Sequence, residues 1–412
     1  MVQKSNRKKN FPNMPEIGGI RLSAIDAGIS KSKKLDLMLV EVSPGSKICG
    51  LLTKSRTCSA AVQSCRKNLK MDQDYTKPIG IVVNSGNANV FTGKSGQETV
   101  KKTIIASADI LKTKKENIFV ASTGVIGEKL DHKKITCRMN DLVANLNRKS
   151  FFNAAEAIMT TDTYPKGAFK QFSIKGENIK IIGIAKGSGM IEPNMATMLV
   201  FIFSDILIKK SVLQKILKKC NNETFNAITV DGDTSTSDSL LCVATGKAKM
   251  SQIESLADPR ASKFRKCLQD VMMELAHLVI KDGEGATKFI KVQVTGAKSK
   301  KSARKIGKTI ANSPLVKTAF AGEDPNWGRI VMAVGKSGEK INQKKLSIYF
   351  GNYLIAENGS VSKSYLESKA AKYMKKKSLL VRIDIGLGSK ESSVYTCDFT
   401  HEYIKINADY RS

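Results

Sequence analysis

The stretch from Gly187 to Asp205, GSGMIEPNMATMLVFIFSD, changes character in its middle. Its first half is loop-forming, with two glycines, a serine, a proline and an asparagine. From Met198 to Phe203 it is an unbroken apolar run, which reads as a buried strand entered directly from a loop. Thr197 stands at the junction. The rest of the chain alternates strand-like and helix-like segments, the pattern of an α/β protein.

DLMLVEVS and IGIVVNSGNAN read as strands, the second closing on a polar loop. NIFVASTGVIGEKL reads as strand, turn and then helix, and IKIIGIAKGSG as a strand from Ile179 to Ala185. The clearest helix runs from Arg260 to Ile280. Asp258 suits its N-cap, Pro259 its first turn and Gly283 the position after its end. Phe264, Leu268, Val271, Leu275, Leu278 and Val279 recur at helical spacing along it. KFIKVQVTG then alternates as a half-buried strand does. GAKSKKSARKIGK reads as a surface loop and helix start, and neither a repeat nor a low-complexity linker marks a domain boundary. A length of 412 residues leaves room for two or three domains, or for one large α/β body with a second lobe.

No stretch approaches the roughly 18 apolar residues of a membrane span. The basic start, MVQKSNRKKNFPNMPEIGG, lacks the apolar segment of a secretory signal. The first dozen residues read as a frayed tail, and a cytoplasmic location is expected. The eight cysteines are scattered, with no CxxC pair and no neighbouring histidine, which argues against a zinc site and a disulfide framework. Free thiols are expected. The formal net charge of +31 raises the possibility of a nucleic-acid partner. However, the lysines fall in short dispersed clusters such as SKSKK, LKTKKEN and YMKKKS, with little aromatic interleaving and no nucleic-acid-binding signature. A solvated basic surface accounts for them.

Nucleophile systems are few. None of His132, His277 and His401 has the glycine-framed setting that a Ser-His or Cys-His pair needs. The GKS sequences at Gly93 and Gly335 lack the phosphate-loop glycine five positions earlier, where Ala88 and Ile330 stand. DGDTSTSD has the wrong spacing for a calcium loop and reads as a turn rich in local hydrogen bonds. Threonine remains. Its hydroxyl needs an adjacent base, and one solution is its own α-amine, whose pKa of about 7.7–8.0 suits proton transfer at neutral pH. An internal threonine owns that amine only after the chain breaks before it. At Thr197 the loop allows a strained peptide and the following strand holds the residue still. The competing reading is a threonine that simply begins a strand.

The motifs GIAKGSGMIEPNMATML, VNSGNANVFTG, ASTGVIGEKL, IMTTDTYP, ITVDGDTSTSD, KDGEGATKFI, EDPNWGRI and YIKINADYRS together resemble the glutamate N-acetyltransferase family, also called ornithine acetyltransferases. They follow the family's order from about residue 16 to 412. The resemblance implies self-cleavage between Ala196 and Thr197, giving an α chain of residues 1–196 and a β chain of residues 197–412. These would stay associated as α2β2 or larger. It implies an α/β fold of sheets sandwiched by helices, similar in logic to N-terminal-nucleophile enzymes, with a smaller associated lobe.

It also implies a two-step exchange. Thr197 takes the acetyl group of N-acetylornithine, ornithine leaves, and glutamate's amine collects the acetyl group as N-acetylglutamate, without metal or bound cofactor. Acetyl-CoA is left open as a second donor and would be a substrate. By their match to the family's motifs, Thr123 and Gly124 are the expected oxyanion pair, and Thr160, Lys186, Glu284, Asn407 and Ser412 the substrate contacts along with Thr197. Lys186 suits a substrate carboxylate and Glu284 an ornithine ammonium. The terminal position is often threonine in this family, and serine keeps its hydroxyl. An autoprocessed aminopeptidase of related fold and a basic nucleic-acid-binding protein stand as the alternatives.

Overall fold

The computed structural model of the chain describes residues 11–192 and 198–410. They form two compact units that are interleaved in sequence. The first takes residues 11–187, 198–226 and Thr234–Val279; the second takes Ser188–Glu192, Ala227–Asp233 and 280–410. Each unit collects segments from distant parts of the chain, so composition marks no boundary between them.

The first unit holds nine strands in two sheets. Strands β1 (Ile20–Ile25), β2 (Leu37–Val42), β4 (Ile79–Asn84) and β5 (Ile118–Ser122) form one sheet in the order β1-β2-β4-β5. Strands β3 (Lys47–Leu52), β6 (Lys166–Ile174), β7 (Glu177–Lys186), β8 (Leu199–Ser204) and β9 (Ser239–Ala244) form the other, in the order β3-β9-β8-β7-β6. The two parallel pairs, β4 with β5 and β8 with β9, are each joined through a helix, Gly93–Ile110 and Lys210–Glu223, because a parallel return needs a crossover.

The apolar run that opened the sequence reading is β8, with all six residues buried. Phe201 and Phe203 share a core with Leu22, Val40, Ile81 and Phe119 of the facing sheet. Each buried side chain of this kind stabilises the fold by roughly 1.5–3 kcal/mol. The outer face of the first sheet, with Leu39, Val82 and Val120, packs on Val100 and Ala108 of the helix Gly93–Ile110. Outside the second sheet lies the helix Pro259–Lys281, which comes so close to β7 that a Cβ at Gly183 would sit 2.6 Å from Leu275 Cδ1. The unit is therefore layered helix, sheet, sheet, helix.

The second unit has one six-stranded sheet, built from β10 (Phe289–Ala297), β11 (Ser347–Phe350), β12 (Tyr353–Glu357), β13 (Ser360–Val361), β14 (Ser378–Asp384) and β15 (Lys390–Cys397) in the order β13-β12-β11-β14-β10-β15. Its alternating residues Ile290, Val292, Val294, Val381 and Ile383 pack on Ala303, Ile306 and Ile310 of the helix Lys300–Ala311. The GAKSKKSARKIGK segment thus starts a helix, as expected, and that helix has a buried face.

The α/β class and helix-flanked sheets are as the sequence implied, and the long helix extends one residue beyond each expected end. One expectation is corrected, and a second is corrected only at Phe11. After β5 the chain makes turns and bridges, and a helix of only four residues appears, at Lys133–Thr136. The backbone in between is bonded to other segments: Gly127 N–H donates to Val90 O, Asn87 Nδ2 to Glu128 O and Thr99 Oγ1 to Leu130 O. Of the expected frayed tail, residues 1–10 lie outside the described residues, and Phe11 packs edge-on against Phe152. All eight cysteines are free. Among the described residues no helix is long and apolar enough to cross a membrane.

Candidate functional site

The described site residues fall into three groups. The first lies at the end of β5, whose last residue Ser122 pairs with Asn84 of β4. Thr123, itself buried, donates its N–H to Asn84 O at 3.0 Å. Gly124 follows with φ of +131°, a conformation open to glycine. A Cβ at Gly124 would lie 2.6 Å from Asn87 N, so the close approach also requires glycine. The facing loop is tied down in turn: Val125 N–H donates to Gly86 O, Ala88 N–H to Val125 O and Asn84 Nδ2 to Asn87 O. The turn is thus fixed from both sides.

The second group is at the end of β7. Lys186 is the last residue of that strand, and its ammonium lies 3.3 Å from Thr160 Oγ1. Between them sits Asp162, whose side chain is fully buried. Its Oδ2 accepts the Thr160 N–H at 3.0 Å, and its Oδ1 accepts the Gly187 N–H at 2.7 Å and the Lys166 ammonium at 2.5 Å. Burial alone would raise the Asp162 carboxyl. The charges of Lys166 and Lys186 and the hydrogen bonds from Lys166 and Gly187 outweigh burial and hold it at about 2.

The third group belongs to the second unit. Glu284 follows the long helix, is 7% exposed and accepts from Asn407 Nδ2 at 2.8 Å. Its N–H donates to Ser188 O at 2.9 Å. A Cβ at Gly189 would lie 2.6 Å from Glu284 Oε1, so the GSG loop passes directly against the carboxylate. Asp231 accepts the N–H groups of Met190 and Ile191 at 2.6 and 2.8 Å. Burial pushes the Asp231 carboxyl up against the pull of these backbone donors. Glu192 is bound by Asn312, by Thr229 Oγ1 at 3.1 Å and by Lys308 at 3.0 Å.

The chain is therefore anchored residue by residue up to Glu192. It is anchored again from Met198, whose carbonyl accepts the Ser239 N–H at 3.0 Å. Ala196, Thr197 and Ser412 lie outside the described residues. Two residues of the second group, Asp162 and Lys166, escaped the sequence reading, as did the role of Asp231 as a clamp on Met190 and Ile191. The available signal was local: an aspartate two residues beyond Thr160 in TTDT, four before a lysine that opens a strand. Among the described residues no cluster of three histidine, cysteine, aspartate or glutamate side chains is gathered as a metal site would need.

A family model described as the ArgJ family matches residues 21–412. The chain is 50% identical over 402 residues to the arginine biosynthesis bifunctional protein ArgJ of Ruegeria pomeroyi, a match covering 98% of this chain and 97% of that protein. It is 46% identical over 404 residues to the protein of the same name from Bartonella henselae, covering 98% of each. Among solved structures, the ornithine acetyltransferase of Mycobacterium tuberculosis complexed with ornithine is 29% identical, with 43% of this chain and 93% of that chain covered and a TM-score of 0.36.

Proposed function

The chain belongs to the ArgJ family, and from that premise we propose how it works as an acetyltransferase of arginine biosynthesis. The chain cleaves itself between Ala196 and Thr197. The freed amine of Thr197 then takes the proton of its own hydroxyl as that oxygen attacks the acetyl carbonyl of N-acetylornithine. Thr123 and the Gly124 N–H stabilise the oxyanion of each tetrahedral intermediate. Ornithine departs, and the amine of glutamate attacks the acetyl-threonine ester, restoring the hydroxyl and forming N-acetylglutamate. Lys186 with Thr160 meets the substrate carboxylate. Glu284, oriented by Asn407, meets the ornithine ammonium, and Ser412 completes the contacts.

The observation that supports this best is one of register. Leu199, two residues after Thr197, pairs directly with Lys186, so the strand entered from Thr197 begins beside the Lys186–Thr160 pair. The steps need no metal or bound cofactor, and acetyl-CoA would enter as an alternative acetyl donor for glutamate. A cytoplasmic enzyme assembled as α2β2 or larger belongs to the same reading. The aminopeptidase alternative loses its footing, because it placed the chain outside the family that the sequence matches over nearly its whole length.

The test is the mass of the purified protein under denaturing conditions. Two chains meeting at Ala196/Thr197 are expected for the wild type, and one uncut, inactive chain for Thr197→Ala. A full-length wild-type chain with undiminished acetyl transfer would overturn the mechanism, because its base would not exist.

A further inference from the structure

We propose that Asp162 is the positioning residue for substrate carboxylate recognition: it binds Thr160 and Gly187 to one buried carboxylate and so sets Lys186 against Thr160. The inference rests on the reading of Lys186 as the carboxylate partner.

The geometry is specific. Thr160 lies before β6 and Lys186 at the end of β7, and the two meet through a single 3.3 Å contact between flexible side chains. Both backbones are tied to the same group, Thr160 N–H to Oδ2 and Gly187 N–H to Oδ1. The carboxylate is thereby used on both oxygens. A side chain serving only to neutralise Lys166 would need one oxygen.

Lys166 has the complementary task. Its side chain is fully buried, opens β6 opposite Ala185 of β7, and bonds Oδ1 at 2.5 Å. Its ammonium lies 5.0 Å from the centre of the Tyr164 ring. Asp162 could not stay ionised in this setting without a buried countercharge, and an ionised carboxylate is what accepts both N–H groups at full strength. The pair thus maintains a rigid acceptor beneath two substrate-facing residues, the arrangement in which a supporting shell fixes a binding shell.

The experiment compares two donors, N-acetylornithine and its neutral α-carboxamide, by kcat/KM for acetyl transfer to glutamate. Wild type prefers the acid. Replacing the pair together, Asp162→Asn with Lys166→Met, removes the bonded carboxylate and ammonium in one step, which avoids leaving Lys166 buried without Asp162. The expected result is a folded, cleaved enzyme whose preference for the acid over the amide falls roughly tenfold or more, the size of a lost charge-assisted contact. The loss sits in the KM of the acid, with the constants for the amide little changed.

If the double variant does not fold, Asp162→Asn alone is scored by the same ratio, since asparagine keeps one acceptor for Lys166 and Gly187. A folded variant that retains the wild-type preference overturns the role of Asp162, leaving it a structural ion-pair partner. A wild type that does not distinguish acid from amide overturns the assignment of Lys186 itself, and with it this inference.

Discussion

Substituting Gly124 with alanine isolates the oxyanion turn from the rest of the chemistry. At φ of +131° an L side chain is strained wherever space exists, and here space is lacking too, with Asn87 N 2.6 Å from the new Cβ. Holding a non-glycine residue in such a region costs about 1–3 kcal/mol. The turn cannot relax cheaply, because Thr123 N–H, Val125 N–H and Ala88 N–H bond across it to the Asn84, Gly86 and Val125 carbonyls respectively. The strain is therefore relieved by moving the peptide at 124, and that N–H is one of the two proposed oxyanion donors. Loss of one such donor costs about 10²–10³ in kcat, or roughly 3–4 kcal/mol of transition-state stabilisation. The assay is kcat for acetyl transfer from N-acetylornithine to glutamate, measured on protein whose cleavage has been verified by mass, so that a missing nucleophile is not mistaken for a missing donor. Because the oxyanion develops only in the transition state, KM is expected to change little. A cleaved Gly124→Ala enzyme with wild-type kcat would refute the assignment of the donor.

Two further outcomes are expected. After cleavage the chains should co-elute on size exclusion even at high salt and separate only in denaturant, since β8 and β9 of the C-terminal chain lie between β3 and β7 of the N-terminal chain, held by ladder bonds and core contacts that salt does not screen; separation under native conditions would contradict the sheet order. For Asp162, the folded value of about 2 lies below the ordinary 3.8, so its ionisation stabilises the fold above pH 4 and that contribution fades as pH falls through about 2. The difference corresponds to about 2 kcal/mol. The gap in Tm between wild type and Asp162→Asn should accordingly narrow from neutral pH toward pH 2, and a gap that stays constant over that range would count against the ion pair.

Much of the first unit was legible because its strands advertise themselves. The runs at 37–42, 79–84 and 118–122 are short, apolar and closed by polar turns, and in the second unit β10 alternates as a strand with one buried face should. The long helix was legible because a cap, a proline and a period all agree. What local pattern does not carry is partnership. Nothing in LVFIFS says that it lies between β7 and β9, or that Cys49 of β3 faces Cys242 across a gap of nearly two hundred residues in sequence. The helix expected after β5 failed for the same reason: backbone groups of Gly127, Glu128 and Leu130 are claimed by Val90, Asn87 and Thr99, and those partners are visible only once the chain is folded. Asp162 was passed over because a short acidic side chain in a polar loop ordinarily caps a turn. Its difference lies in complete burial, which depends on β6 and β7 closing over it.

The same sheet order bears on the proposed loss of a peptide bond before one of the most buried strands. Cleavage before an edge strand, or before a strand at a unit's periphery, would free a segment to peel away. Here the first residue of β8 has a partner on each side, Lys186 on β7 and Ser239 on β9, and every residue of the strand is buried. The five residues 193–197 join this strand to Glu192, itself bound by Asn312, Thr229 and Lys308. The described residues on either side of that segment are thus each secured by their own partners. The proposed cleavage would create a terminus two residues before Leu199, which pairs with Lys186. The proposed nucleophile needs a fixed setting, and the central placement of β8 gives the strand that follows it one.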